Sequence, residues 1–96
     1  MAESRYRMSG EVDLSTAPLV RSELARLISA DDAHLLIDCA QLTFIDSTGV
    51  AVLLEANQQL EAGGRHLLLL NVQRGPRRVL EALGLSDLLR FEREPA

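Results

Sequence analysis

Residues 43–54 read TFIDSTGVAVLL, from Thr43 to Leu54. The periodicity changes in the middle of this stretch. Thr43 to Ile45 suit the end of a strand. From Val50 onward the apolar residues Val50, Leu53, Leu54 and Leu60 fall on one helical face, with Asn57 in register among them. Between the two halves stand Asp46, Ser47, Thr48 and Gly49. Asp46 or Ser47 can accept hydrogen bonds from the free N–H groups of a new helix, a cap worth ~1 kcal/mol. One such group is enough for a cap, yet three are present. Gly49 falls inside the first turn, where glycine costs up to about 1 kcal/mol relative to alanine. A glycine there points to something approaching the backbone closely. The turn is either a helix cap or a place where a partner acts.

Upstream, Arg5 to Ser9 alternate weakly and stop at Gly10, which predicts a short strand exposed on one face. In GEVDLSTAP, Asp13, Ser15 and Thr16 are turn and capping residues, and Pro18 suits a first helical turn. Val20, Leu24, Leu27 and Ile28 then follow at i, i+4, i+7 and i+8, one face of a helix that ADDAH breaks. In HLLIDC, the unbroken run Leu35 to Ile37 predicts a buried strand of a parallel sheet.

Downstream, Gly63 and Gly64 end the second helix with a left-handed cap. RHLLLLNV predicts another buried strand. RGPRRVLEALG predicts a short helix with Pro76 near its start, Gly84 past its end and Val79, Leu80 and Leu83 on its apolar face. LSDLLRFE gives a last short strand, and REPA reads as a loose tail. The order β-α-β-α-β-α-β over a single domain, residues 1–96, implies parallel pairing through right-handed helical crossovers. The DSTG turn then sits at the C-terminal end of a parallel strand, where such sheets meet ligands and partners.

The chain is 47% hydrophobic and 25% charged, the balance of a globular domain, and with 3% aromatics its core must be aliphatic. A net charge of -4 argues against nucleic acid, which selects a basic surplus. Cys39 is the only cysteine, so no internal disulfide forms, which fits a reducing cytoplasm. The sequence holds no run near the ~20 apolar residues that span a bilayer, so direct membrane insertion is not expected, and MAESRYRMSG has no apolar signal-peptide core. His34, Cys39 and His66 match no zinc spacing, so no metal and no cofactor are expected. Arg74, Arg77 and Arg78 at a helix start read as a solvated surface before they read as an anion site. Asn57 is equally a core contact or part of a partner surface. No nucleophile, base and orienting group can be assembled, so no catalytic residue is expected and the protein does not read as an enzyme.

FIDSTGVAVLL, preceded by GEVDLSTAPLVRSEL and followed by GLSDLL, resembles the STAS domain family, and within it the anti-sigma factor antagonists, over roughly residues 5–92. The resemblance implies a small α/β domain with a mainly parallel or mixed sheet of about four strands and three or four helices. Many relatives carry an additional strand before the one at Arg5. Here only Met1 to Ser4 precede it, so either the sheet lacks its usual first edge strand or the chain starts further upstream. A missing strand leaves an edge open, which invites a homodimer or some other covering. Ala51 stands where the family more often has a second glycine.

The resemblance also implies a mechanism. An antagonist of this type binds a GHKL-type serine kinase that is also the anti-sigma factor, and so frees the sigma factor. The kinase phosphorylates the serine after the aspartate, which is Ser47 here, with Thr48 as second choice. The modified antagonist lets go, and a PP2C-type phosphatase restores it. Asp46, Ser47, Thr48, Gly49 and Val50, with Asp13 and Ser15 in the neighbouring loop, would form the partner surface. The alternative within the family is a stand-alone STAS subunit of an ABC-type lipid or anion transport complex, in which the same turn is an assembly surface without obligatory phosphorylation.

Overall fold

The computed structural model describes residues 2–95. Nine elements follow one another: β1 (Glu3–Arg7), β2 (Gly10–Val12), α1 (Ala17–Ala30), β3 (His34–Asp38), β4 (Leu42–Ile45), α2 (Ser47–Ala62), β5 (Leu67–Leu70), α3 (Arg74–Ala82) and β6 (Arg90–Glu92). Four strands form an all-parallel sheet in the order β1-β3-β5-β6. This is the α/β domain with four main strands and three helices that the sequence predicts.

Two short strands are additional. β2 and β4 pair parallel in a small sheet of their own, where the sequence reading has a turn and the end of a longer strand. The reason for the break lies after β3. The Asp38 carboxylate accepts the Ala40 N–H at 3.0 Å, and the Leu42 N–H turns back to the Cys39 carbonyl at 3.0 Å. The chain therefore leaves the main sheet at Cys39 and starts afresh at Leu42. β1 also ends earlier than the sequence suggests, and Met8 enters the core instead of extending the strand.

Strand alternation assigns the two faces of the main sheet. Leu35, Ile37, Leu67 and Leu69 are buried in one core with Val20 and Leu24 of α1 and with Leu53, Ala56 and Leu60 of α2. The other face carries Leu36 and Leu68, each only half-buried. The apolar runs of β3 and β5 thus serve a sheet covered by helices on one face, not a strand buried on both. Cys39 belongs to the core, where burial pushes its thiol up to about 12 and makes it a poor nucleophile. Asn57 is half-buried and donates to Glu61 one turn on at 2.7 Å.

The REPA segment is tied down through Glu94, contrary to the loose tail expected; its last residue, Ala96, lies outside the described residues. The Glu94 carboxylate takes both arms of the Arg5 guanidinium, at 2.7 and 3.0 Å, and its N–H donates to the Asn71 side chain at 2.9 Å. Arg5 also reaches Asp38 at 3.2 Å. Asn71 takes the left-handed backbone that asparagine tolerates (φ 59°), which aims its amide at Glu94. No helix is long and apolar enough to cross a membrane among the described residues.

Candidate functional site

The small β2/β4 sheet brings two loops together. Val12 pairs with Ile45, and the Asp46 N–H donates to the Val12 carbonyl at 3.2 Å. Asp13 and Asp46 therefore leave neighbouring parallel strands side by side, at the C-terminal ends where the fold offers a site.

In the second loop, Asp46 is the N-cap of α2. Its Oδ1 accepts the N–H groups of Thr48 at 2.9 Å and Gly49 at 3.1 Å, while its carbonyl takes the Val50 N–H at 3.0 Å. The carboxylate does all of the side-chain capping. Of the two capping options open in the sequence, the structure takes Asp46, and the cap leaves the hydroxyls of Ser47 and Thr48 unused. Ser47 is exposed at the first helical position, and Thr48 is half-buried.

Gly49 explains itself. A Cβ added there would stand 2.7 Å from Ile45 Cγ1, 2.8 Å from the Val12 carbonyl oxygen and 2.9 Å from Val12 Cγ1. The close approach read from the sequence is made by the chain's own β2 and β4. Gly49 and Val50 are both buried, so they hold the turn from beneath, and the surface itself is formed by Asp46, Ser47 and Thr48.

The first loop is an aspartate-centred turn. Asp13 Oδ1 accepts the Ser15 hydroxyl at 2.7 Å and the Ser15 N–H at 2.9 Å, and more weakly the Thr16 N–H at 3.2 Å. The Thr16 hydroxyl accepts the Asp13 N–H and donates to the Glu11 carbonyl, each at 2.9 Å. The Ser15 hydroxyl and then its N–H hold the Asp13 carboxyl below the usual carboxylate range. Thr16 ends up as the N-cap of α1 by position alone, with Pro18 in the first turn as expected. Ser15 is exposed, but its hydroxyl is engaged by Asp13, which sets it apart from Ser47.

The structure adds residues that the sequence reading passed over. Leu14 is 75% exposed next to Asp13, and Phe44 is 47% exposed two residues before Asp46. Each loop thus has an exposed apolar neighbour in the chain, Leu14 after β2 and Phe44 on β4. Leu14 carries the one signal available in the sequence, an apolar residue placed between two turn residues.

The other candidates lie elsewhere. His34 and His66 stack with ring centroids 5.0 Å apart, and the His66 N–H donates to His34 Nδ1 at 2.9 Å, so one imidazole nitrogen is already an acceptor within the pair. No three His, Cys, Asp or Glu residues assemble as a metal cage among the described residues. Arg77 lies over the Phe91 ring at 4.2 Å and reaches Glu81 at 3.8 Å, whereas Arg74 and Arg78 are exposed.

Comparison with known proteins bears on this site. The family model for the STAS domain matches residues 4–96. The anti-sigma-B factor antagonist of Listeria monocytogenes serovar 1/2a is 31% identical over 85 residues, covering 88% of this chain and 75% of the relative. The structure of the anti-sigma factor antagonist SpoIIAA in its unphosphorylated form superposes with a TM-score of 0.83 at 24% identity, over 98% of this chain and 81% of that one. The Bacillus cell fate determinant SpoIIAA in its phosphorylated form gives a TM-score of 0.74 at 24% identity, over 97% and 83% of the two chains.

Proposed function

Since the chain belongs to the STAS domain family, we propose that it is an anti-sigma factor antagonist whose hold on its partner is released by phosphorylation of Ser47. The observation that carries this reading is the division of labour at the turn: Asp46 alone caps α2, and the exposed Ser47 hydroxyl is left over. A purely structural turn needs no second alcohol at that position. The relatives named as anti-sigma factor antagonists support the general role.

The partner is an anti-sigma factor, in this reading a GHKL-type serine kinase, and a PP2C-type phosphatase reverses the modification. In the binding state the partner covers Leu14, Phe44 and the neutral Ser47. In the transfer, the Ser47 oxygen attacks the γ-phosphorus of ATP, its proton leaves to a base of the kinase, and ADP departs. Phosphoserine brings about -1.5 to -2 charges beside the Asp46 carboxylate. A surface shaped for a neutral alcohol cannot desolvate that charge, and a loss of only ~3 kcal/mol weakens binding over a hundredfold. Ser47 is favoured over Thr48 because it is exposed while Thr48 is half-buried.

The test is intact-mass and fragment-mass spectrometry after co-expression with candidate GHKL kinases, with binding measured in parallel. A single phosphoryl group on Ser47, loss of kinase binding by Ser47→Glu and retention by Ser47→Ala are expected. Equal binding by the two variants, or phosphorylation elsewhere, overturns the reading.

A further inference from the structure

The arginines of α3 run against the local rules of their helix. Arg74, Arg77 and Arg78 fall within its first five residues, and the first turn holds no acidic residue. The helix dipole disfavours cations at that end, and like charges four residues apart, here Arg74 and Arg78, repel. Arg77 is compensated, because its guanidinium lies 4.2 Å from the centre of the Phe91 ring and its Nε reaches Glu81 at 3.8 Å. Arg74 and Arg78 are exposed, and neither makes an ion pair among the described residues. Residues that break a local rule without a local gain mark places where function sets the choice.

Their place in the fold is a second observation. α3 starts just past the end of β5, at the end of the sheet where the chain also leaves β3 for β4. The Gln73 side-chain amide donates to the Ala40 carbonyl between β3 and β4, and a Cβ on Gly75 would lie 3.9 Å from the Thr43 carbonyl oxygen of β4. β4 then runs directly into Asp46 and Ser47. Thr43 and Ser47 are four residues apart, so at most about 14 Å of chain separates them.

The chemistry selects the occupant. Guanidinium groups take carboxylates as bidentate forks, and Arg74 and Arg78 present two of them one helical turn apart. A small anion is held by walls on several sides. The cavity beside α3, about 150 Å³, is lined by Arg77 and Phe91 and not by Arg74 or Arg78. A nucleic acid would meet a chain of net charge -4. A short acidic stretch of protein needs neither a pocket nor a basic molecule, only carboxylates spaced to meet the two forks. We infer that Arg74 and Arg78 dock an acidic segment of a protein partner at the end of the domain that carries the DSTG turn. Resting on the reading above, that segment belongs to the anti-sigma factor, which then holds the chain at two places.

Hexaglutamate, capped at both ends, is titrated into the isotope-labelled full chain at low salt, with the arginine Nε–Hε signals as readout. The Arg74 and Arg78 signals are expected to shift together with a Kd of about 1 mM or below, and those of the exposed Arg7, Arg26 and Arg90 to need at least tenfold more peptide. Arg74→Glu combined with Arg78→Glu weakens this binding roughly tenfold or more. The reversal puts acids where the dipole favours them, so a loss of binding is not a loss of fold, and circular dichroism checks this. Ser47→Ala binds the peptide as the wild type does, which makes the result independent of phosphorylation. The kinase retained in the co-expression is expected to hold the double reversal about tenfold more weakly, most clearly at low salt. No shift at Arg74 and Arg78 up to about 5 mM peptide, equal shifts at all exposed arginines, or a tighter response to inorganic phosphate than to the peptide overturns the docking site. Undiminished kinase binding by the double reversal overturns the assignment to that partner. A chain that binds the peptide and no kinase refutes the reading above and leaves the docking site standing.

Discussion

Replacing Gly49 with alanine sets two opposing effects against each other. Alanine in a helix is favoured over glycine by up to about 1 kcal/mol. Against this, the new Cβ would meet three atoms at 2.7–2.9 Å, and none of them can move freely. The Val12 carbonyl is held by the Asp46 N–H, and the Val12 and Ile45 side chains are buried in the core. Overpacking of a tight core costs about 1–3 kcal/mol. With a held backbone oxygen among three contacts under 3.0 Å, the upper part of that range, about 2–3 kcal/mol, applies; less the ~1 kcal/mol that alanine gains, the net is a loss of roughly 1–2 kcal/mol, and a domain of this size loses about 4–8 °C of Tm per kcal/mol. Gly49→Ala should therefore lower the thermal midpoint by roughly 5–15 °C. Gly63→Ala is the control, because a Cβ there meets nothing closer than 3.6 Å. Calorimetry on both variants decides the matter. A Gly49→Ala midpoint equal to the wild type or above it would refute the close packing of α2 on β2 and β4.

The cap gives a second test. Asp46→Ala removes both cap bonds and should cost ~1 kcal/mol in urea unfolding, whereas Ser47→Ala should stay within about 0.5 kcal/mol of the wild type. Acid gives a third. Ser15 holds the Asp13 carboxyl low, the Ala40 N–H and Arg5 hold Asp38 low, and Arg5 and Asn71 hold Glu94 low. Folded-state values below the unfolded ones mean that the unfolded chain binds more protons, so this stability is present above the ordinary carboxylate range and is lost as pH falls through the lowered values. Urea midpoints should fall on acidification below about pH 4, and Asp38→Asn should flatten that fall; an unchanged slope in Asp38→Asn counts against its part in the network. Finally, Glu94→Ala should release the C-terminal segment, read as faster amide exchange at residue 94 with α2 unaffected.

Elements of the fold with a strong period were legible in the sequence. The heptad-like spacing of Val20, Leu24, Leu27 and Ile28 sufficed for α1, and the glycine stops at Gly63 and Gly84 sufficed for two helix ends. β2 and β4 were not, because strands of three and four residues carry too few alternations to stand out from turns, and their pairing is non-local. The clamp of Arg5, Asp38, Asn71 and Glu94 was invisible for the same reason: its members lie up to 89 residues apart, and nothing in REPA signals an anchor. At the turn, the sequence left Asp46 and Ser47 as equal candidates for the cap. Only the geometry of the Asp46 carboxylate, aimed at two N–H groups, separates them.

That separation bears on how a charge added at Ser47 would act. A helix N-terminus attracts anions, and a phosphoryl group there can be drawn onto the free N–H groups and neutralised by its own protein. In this chain the Thr48 and Gly49 N–H groups are already taken by Asp46, and the Val50 N–H by the Asp46 carbonyl. A phosphoryl group on Ser47 would find these three donors of the first turn occupied, with the Asp46 carboxylate one residue away. Its charge would remain turned to solvent, since Ser47 is exposed. An aspartate cap in front of a free serine would therefore preserve the helix in both states of the serine, and the added charge would fall on the proposed binding surface and not on the fold.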